Sequence, residues 1–203
     1  MGEIVLIRHG ETTWSASGRH TSVTDLDLTE NGVAQAKALA PLLRRRDFAA
    51  VWTSPRKRAV RTAELIGLPA AEVKADLAEW AYGDYEGLTR EQINETDPQW
   101  TIWTDGGKGE GGETAAQVEA RLDRALAEAG RLLGEGDVAF VAHGHSLRVA
   151  AARWLGRPAV DGRDFTIDTA SIGALGFEHG RPAVTCWNLT AALAEPDGGP
   201  AAS

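Results

Sequence analysis

The sequence has a single cysteine, no long apolar run and no excess of basic residues, and each absence excludes a class of protein. Cys186 has no second cysteine to pair with, which excludes a scaffold held together by internal disulfides. No stretch approaches the roughly 18 consecutive apolar residues of a transmembrane helix. The 21 Lys and Arg against 29 Asp and Glu give a net charge of −8. This balance argues against nucleic acid and anionic membranes as partners, although a local cationic pocket for a small anion is still compatible with it.

The remaining composition is that of an ordinary globular chain. Of the 203 residues, 43% are hydrophobic and 25% are charged, so a wholly disordered chain is excluded and a sizeable core can form. The first eight residues have no basic flank and only a short apolar run, which predicts a first strand and not a signal peptide. We therefore expect a cytoplasmic protein.

Apolar runs and helical stripes alternate along the chain. The expected strands are 4–7, 49–53 and 137–142, followed by a hairpin of 172–177 and 183–187. The expected helices are 30–46 behind an N-cap at Thr29, Ser54-Pro55 to Ile66, a short helix after the capping box of Thr89 and Gln92, 113–133, and a helix capped by Ser146 that runs to Leu155. This alternation predicts an α/β fold, with a mostly parallel sheet, helices on both faces and antiparallel strands at one edge.

The domain organisation is expected to be simple. The glycine-rich stretch 106–112 is interpreted as a flexible loop, since no independent core follows it. We expect one domain over 1–193 and a disordered tail over 194–203, which is rich in Gly, Pro and Ala.

Residues of catalytic type follow three of the expected strands. Arg8 and His9 follow the first strand, Ser54 and a basic helix follow the second, and His143 follows 137–142. The carboxyl ends of parallel strands meet at one edge of a sheet, so these side chains should converge there. Histidine can carry a phosphoryl group, and arginine forks match its oxygens. The convergence predicts phosphoryl transfer through histidine, with a carboxylic acid to protonate the leaving group.

The motifs around these residues resemble those of the histidine phosphatase superfamily, also called phosphoglycerate-mutase-like. The matching segments, in the family's order, are Arg8-His9-Gly10-Glu11-Thr12, Ser54-Pro55-Arg56-Lys57-Arg58-Ala59 with Thr62-Ala63, Leu77-Ala78-Glu79 with Gly83 and Glu86-Gly87, Gly112-Glu113-Thr114 with Arg121, and His143-Gly144 with Arg148. They span residues 4–150. The resemblance implies a three-layer α/β/α sandwich with a small cap built from insertions, and neither a metal nor an organic cofactor.

The resemblance also implies roles for individual residues. His9 would be the phosphorylated nucleophile, and Glu79 would be the proton donor and later the base for water. The phosphoryl group would be held by Arg8, Arg58, His143 and the N–H of Gly144. Tyr82 falls where the mutases place a tyrosine that contacts the substrate.

The chain departs from the family pattern at positions that often touch the substrate. Many members continue with Trp-Asn and then Gly-Arg-x-Gln-Gly, whereas here Ser15 follows Trp14 and His20-Thr21-Ser22 follow Gly18-Arg19, so the amide groups are absent. Ser15, His20 and Thr21 become candidate substrate-binding residues for a different substrate. The cap segment 89–108 is short, with Arg90 and Lys108 its only basic residues, whereas the mutases carry a longer insertion with a double arginine. The pattern therefore favours the acid-phosphatase-like and broad-specificity members.

The prediction is a metal-independent phosphatase of small phosphate monoesters that works through phospho-His9. Two alternatives stay open: a phosphoglycerate mutase dependent on 2,3-bisphosphoglycerate, and a non-catalytic binder of a phosphorylated ligand. A metal pair of His143 and His145 lacks a third ligand in the sequence, and Trp80, Trp100 and Trp103 are interpreted as packing residues. The sequence leaves the oligomeric state open, with a homodimer among the alternatives.

Overall fold

The computed structural model describes residues 2–68 and 70–194. Its strands are β1 (Ile4–Arg8), β2 (Phe48–Thr53), β3 (Glu72–Val73), β4 (Asp137–Ala142), β5 (Ile172–Glu178) and β6 (Arg181–Leu189). Its helices are α1 (Thr13–Ala16), α2 (Glu30–Leu43), α3 (Lys57–Ile66), α4 (Arg90–Thr96), α5 (Ile102–Asp105), α6 (Ala115–Leu132), α7 (Gly144–Trp154) and α8 (Ala191–Ala194). Short 3₁₀ helices cover Ala75–Leu77 and Ala159–Asp164. The predicted tail is outside the described residues from 195 onward.

The strands form one six-stranded sheet in the order β3-β2-β4-β1-β5-β6. The first four strands in this order pair in parallel, and β5 and β6 add an antiparallel edge beside β1. The α/β fold with a mostly parallel sheet and a closing hairpin is therefore confirmed. Within the described residues, no helix is long and apolar enough to cross a membrane.

Alternate residues of β1 face opposite layers of the core. Ile4 and Leu6 belong to the apolar cluster that includes residues of α6 and α7, while Val5 and Ile7 belong to the cluster formed with α2 and α3. A strand buried on both faces needs such a continuous apolar run, because successive side chains point to opposite sides. One cluster lies between the sheet and helices α6 and α7, and the other lies between the sheet and helices α2 and α3. The sheet and the helices on its two faces are the three layers of the sandwich.

Two predicted helix starts are wrong, for the same physical reason. The helix after β2 begins at Lys57 with Arg56 in the N-cap position, not at Ser54-Pro55, because the Ser54 hydroxyl is bonded to His143. The helix after β4 begins at Gly144, two residues before Ser146, and a carboxylate from another segment accepts its first N–H groups. In both places a tertiary contact replaces the local cap.

Other boundaries differ by a few residues. The helix predicted over 30–46 ends at Leu43, and the one predicted over 113–133 is Ala115–Leu132 with Thr114 as its N-cap. The capping box of Thr89 and Gln92 is confirmed. The loop 106–112 contacts the segment around Tyr82, because the Lys108 N–H donates to the Tyr82 carbonyl at 2.9 Å.

Candidate active site

The carboxyl ends of three parallel strands bring the predicted residues together. Arg8, the last residue of β1, pairs in register with Ala142 at the end of β4. The N–H of His9 donates to the Ala142 carbonyl at 3.1 Å, and that of Ser54 donates to Val141 at 2.9 Å. The residues that follow β1, β2 and β4 therefore lie side by side at one edge of the sheet, as predicted.

The orientation of the His9 imidazole is fixed by the next residue. Its Nδ1 lies 2.7 Å from the Gly10 carbonyl oxygen. A carbonyl can only accept, so Nδ1 carries the proton and Nε2 keeps its lone pair. Burial lowers the pKa of His9 well below its usual value, and the charges of Arg58 and Arg8 lower it further. The ring is thus held neutral, with Nε2 available as a nucleophile.

Gly10 allows this strand end to pack tightly against α2. A side-chain carbon at position 10 would lie 2.4 Å from the Gly32 carbonyl oxygen, so only glycine fits there. The Gly10 N–H also donates to the Thr62 hydroxyl at 3.1 Å. These contacts hold rigid the backbone whose carbonyl orients His9.

His143 lies against His9, with 5.1 Å between the ring centroids. Its Nδ1 accepts from Arg58 Nε at 3.2 Å, so the neutral ring carries its proton on Nε2 and donates to the Ser54 hydroxyl at 2.6 Å. Burial, followed by the charges of Arg58 and His9, lowers the pKa of His143 well below its usual value. Both ring nitrogens are therefore used by protein partners.

Arg58 is fully buried and holds a loop as well as a histidine. Its Nη1 donates to the Thr24 carbonyl at 3.0 Å, and its Nη2 donates to the carbonyls of Thr21 and Ser22 at 3.2 Å. On the other side of the loop, Glu86 accepts from the N–H groups of Ser22 and Thr24 at 2.9–3.0 Å. A cation and a carboxylate thus clamp this loop from opposite sides. Glu86 has no local signal for this contact, because its partners lie more than 60 residues away in sequence.

Glu79 lies at the N-terminus of α7. Its oxygens accept from the N–H groups of Trp80 at 2.9 Å, His145 at 3.0 Å and Ser146 at 2.9 Å. These bonds and the Arg58 charge favour the ionised form, but burial outweighs them and raises the pKa of Glu79. The carboxyl group is therefore fixed in place and keeps its proton to a higher pH than an exposed glutamate does.

A cleft of about 190 Å³ opens over these residues, which is smaller than the roughly 300–1,000 Å³ of pockets for drug-sized ligands. Eight of its lining residues are predicted site residues: Arg8, His9, Ser15, His20, Thr21, Glu79, Tyr82 and Gly144. Six more were not predicted: Thr12, Gly18, Arg19, His145, Arg148 and Ile167. Arg58 and His143 do not line the cleft; they lie behind His9 and reach it through contacts with His9 and with the loop at 21–24.

Tyr82 and His145 form a buried pair on one wall. The Tyr82 oxygen lies 2.7 Å from His145 Nδ1. Burial raises the pKa of the Tyr82 phenol well above its usual value and lowers that of His145 well below. The phenol therefore donates and the neutral imidazole accepts. His145 Nδ1 is also 3.9 Å from Glu79 Oε2, and the His20 ring meets Tyr82 edge-on at 4.7 Å.

Two of the three tryptophans have packing roles, as predicted. Trp80 and Trp100 are buried, and their indole N–H groups donate to the carbonyls of Glu113 and Gly106 at 2.8 and 2.9 Å. Trp103 is half-buried, and the Arg148 guanidinium lies 4.5 Å above its ring. Trp103 therefore supports a residue that lines the cleft.

Within residues 2–68 and 70–194, no three His, Cys, Asp or Glu side chains are grouped to hold a metal ion. His143 and His145, the pair considered from the sequence, turn to different partners. His143 contacts Ser54 and Arg58, whereas His145 contacts Tyr82.

Comparison with known proteins agrees with this geometry. The family model of the histidine phosphatase superfamily, branch 1, matches residues 4–190. The chain is 46% identical over 189 residues to an acid phosphatase of Mycobacterium tuberculosis, covering 92% of each protein. It is 34% identical to sedoheptulose 1,7-bisphosphatase of Saccharomyces cerevisiae, over 86% of this chain and 87% of the relative.

Among solved structures, that of an open reading frame product from Mycobacterium tuberculosis superposes with a TM-score of 0.89 at 45% identity. The match covers 94% of this chain and 98% of that chain. The order of the motifs, the sheet and these relatives agree, and the chain belongs to the histidine phosphatase superfamily and is a phosphatase.

Proposed function

We propose that the chain hydrolyses small phosphate monoesters in two steps, with the phosphoryl group carried on Nε2 of His9. The observation that carries the proposal is the hydrogen bond from His9 Nδ1 to the Gly10 carbonyl, which leaves the Nε2 lone pair free. Burial and two neighbouring guanidinium groups disfavour protonation of the ring. A neutral, oriented imidazole is the form that can attack phosphorus.

The phosphoryl group is held in the cleft by Arg8 and by the N–H of Gly144 at the start of α7. Arg8 Nε is buried and has no protein hydrogen-bond partner among the described residues. A buried donor without a partner is costly, and a phosphoryl oxygen would satisfy it. Helix N-termini also favour anions. Arg58 and His143 act through His9, by keeping its ring neutral and in place.

In the first step Nε2 of His9 attacks phosphorus, and the bond from phosphorus to the ester oxygen breaks. Glu79 gives its proton to that oxygen, and the alcohol leaves. In the second step the Glu79 carboxylate takes a proton from water, whose oxygen attacks phosphorus. The bond from phosphorus to Nε2 breaks, orthophosphate leaves, and both side chains return to their starting states.

These two roles set the pH dependence. His9 must be neutral to attack, and its lowered pKa satisfies this condition down to acidic pH. Glu79 must be protonated to donate, and its raised pKa extends that condition upward from the usual carboxylate range. The profile should be a bell: the lowered pKa of His9 moves its acid limb to lower pH, and the raised pKa of Glu79 moves its alkaline limb to higher pH.

The substrate is expected to be small because the cleft is small. The two basic residues of the cap segment are used elsewhere: Arg90 donates to the Trp100 carbonyl, and Lys108 pairs with Asp97 at 3.1 Å. The mutase alternative therefore gains no support from this segment. The cytoplasmic location stays a prediction from the sequence.

The test is phosphate release from a panel of phosphate monoesters, including p-nitrophenyl phosphate, in the presence of EDTA. We expect release by the unmodified protein and a fall in kcat of at least about 10³-fold in His9→Asn. His179→Asn, at an exposed hairpin turn where φ is 49°, is the matched control and should keep its rate within about twofold. Release that persists in His9→Asn would overturn the proposal, and isomerisation of 3-phosphoglycerate faster than phosphate release would favour a mutase.

A further inference from the structure

The cleft contains more positive charge than one phosphoryl group needs. Three arginines line it, namely Arg8, Arg19 and Arg148, and Glu79 is its only carboxylate among the described residues. In the part of the chain that the structure describes, none of the three lies within 4.0 Å of a carboxylate oxygen. Elsewhere, Arg46, Arg121 and Arg153 are each paired with acidic side chains. Each of these three arginines outside the cleft thus has an acidic partner of a kind that the three cleft arginines lack.

Contacts with the protein orient the Arg148 guanidinium before any ligand binds. Its Nε donates to the Gly162 carbonyl at 3.0 Å, and its Nη2 donates to the Arg163 carbonyl at 2.9 Å. The guanidinium plane also rests on the Trp103 ring. Neutral carbonyls and an aromatic face orient this cation without cancelling its charge. Its Nη1 has no protein hydrogen-bond partner within the described residues, so an incoming anion finds a fixed N–H group there.

The position of Arg148 separates it from the phosphoryl site. Gly144 and Arg148 are four residues apart on α7, which places them on the same face of the helix about 6 Å apart along its axis. Gly144 lies next to Arg8: a side-chain carbon on Gly144 would lie 3.4 Å from Arg8 Cζ. The Arg8 end of the cleft therefore takes the phosphoryl group, and Arg148 begins a second cationic position one helical turn away.

Arg19 adds a cation to the cleft from a separate chain segment, the turn after α1. Its Nη1 donates to the Gly87 carbonyl at 3.1 Å, and the residue is otherwise exposed. It is next to His20, whose ring contacts Tyr82 in the same cleft. Arg19 can therefore neutralise an anion at the mouth while Arg148 holds it from within.

We propose that Arg148, assisted by Arg19, binds a second anionic group of the substrate, a carboxylate or a second phosphate on the same small molecule. This proposal rests on the proposed function only for the position of the first phosphoryl group. The substrate class is then a small phosphate monoester that carries a further negative charge a few bonds from the ester.

The test measures binding, so that it does not depend on turnover. Isothermal titration calorimetry in the His9→Asn background compares two pairs of ligands that differ by one anion. The pairs are 3-phosphoglycerate with glycerol 3-phosphate, and fructose 1,6-bisphosphate with fructose 6-phosphate. We expect at least one doubly anionic ligand to bind about 10- to 100-fold more tightly than its partner, as charge-assisted hydrogen bonds typically provide.

Adding Arg148→Gln should reduce that ratio of dissociation constants by about tenfold or more, and Arg19→Gln should reduce it by a smaller factor. Arg181→Gln is the control, because this arginine is exposed at the start of β6 and lies outside the cleft, and it should leave the ratio unchanged. A response in the first pair alone identifies a carboxylate, and a response in the second pair alone identifies a phosphate.

The second-anion site would be overturned if the two ligands of each pair had nearly equal dissociation constants in the His9→Asn background. It would also be overturned if neither Arg148→Gln nor Arg19→Gln changed the ratio of those constants. Such a result would leave the proposed phosphatase chemistry intact if the unmodified protein hydrolyses simple esters. Conversely, a ratio that depends on Arg148 in a protein that releases no phosphate would support the second-anion site and overturn the proposed reaction. A thermal melt of each variant shows whether the fold is retained.

Discussion

The active site has two regions, an inner wall and an outer cleft, which differ in how fully their polar groups are paired. The inner wall consists of His9, Ser54, Arg58 and His143, all buried, and apart from Nε2 of His9 its side-chain hydrogen-bonding groups are engaged with one another or with backbone carbonyls. In the outer cleft, by contrast, Arg19 and Arg148 have no carboxylate oxygen within 4.0 Å among the described residues. A saturated network fixes one geometry, whereas an unsaturated one leaves donors for a ligand. In the proposed mechanism, the inner wall determines the reaction and the outer cleft determines what binds.

In the proposed mechanism, Arg58 of the inner wall acts without touching the substrate. Arg58 lies behind His9, where its charge lowers the pKa of both His9 and His143. The same guanidinium holds the carbonyls of the loop whose residue Thr21 lines the cleft. One buried cation therefore adds to the effect of burial on the pKa of two imidazoles and also holds the loop at the entrance of the cleft.

Among the variants that test the difference between the inner wall and the outer cleft, Glu79→Gln should have the largest effect. It removes the proposed proton donor, which lies between these two regions. We expect kcat for alkyl phosphates to fall by about 10²- to 10⁴-fold, the usual contribution of a general acid. The loss should be smaller for p-nitrophenyl phosphate, because its phenolate can leave without a proton.

Steady-state rates on both esters check this prediction, with Glu110→Gln at an exposed loop position as the control. Equal losses on the two esters would argue that Glu79 supports the start of α7 and does not donate the proton.

A smaller effect is expected from Arg58→Met, which removes a positive charge from the inner wall. Protonated His9 then becomes less unfavourable, so its pKa rises. The acid limb of the pH–rate profile should therefore move to higher pH. The profile of kcat/KM measures the shift.

Arg58→Lys retains the positive charge but loses the guanidinium hydrogen bonds. It should therefore lower the rate while the acid limb of the pH–rate profile moves little. Arg61→Met, on an exposed part of the same helix, is the control. An acid limb that does not move in Arg58→Met would contradict the electrostatic role of Arg58 and leave only its clamping of the loop.

The sequence predicted the inner wall well, since short apolar runs mark the buried strands and His9 and His143 directly follow two of them. Family resemblance was needed for Glu79, which sits in an irregular segment and reaches α7 across 66 residues. Helix starts at Ser54 and Ser146 failed because local cap signatures cannot reveal that a distant histidine or carboxylate takes the same hydrogen bonds.

The outer cleft was only partly predictable. Ser15, His20 and Thr21 were found because they interrupt a family pattern. Arg148 belongs to the matched motif around His143 but was given no role there, and Arg19 was given none either, because an arginine on a helix or in a turn is usually solvated. Only the structure shows that Arg148 rests on Trp103 and that, among the described residues, neither arginine has a carboxylate oxygen within 4.0 Å.

The most direct test of the account is to locate the phosphoryl group after a rapid quench at alkaline pH, which preserves phosphohistidine. Phosphorus-31 NMR with ¹⁵N-labelled histidine distinguishes the two ring nitrogens of the trapped protein. The hydrogen bond between His9 Nδ1 and the Gly10 carbonyl predicts a signal from phosphorus on Nε2 of His9, and none in His9→Asn. Phosphorus on Nδ1, on another residue, or on no residue during turnover would contradict it.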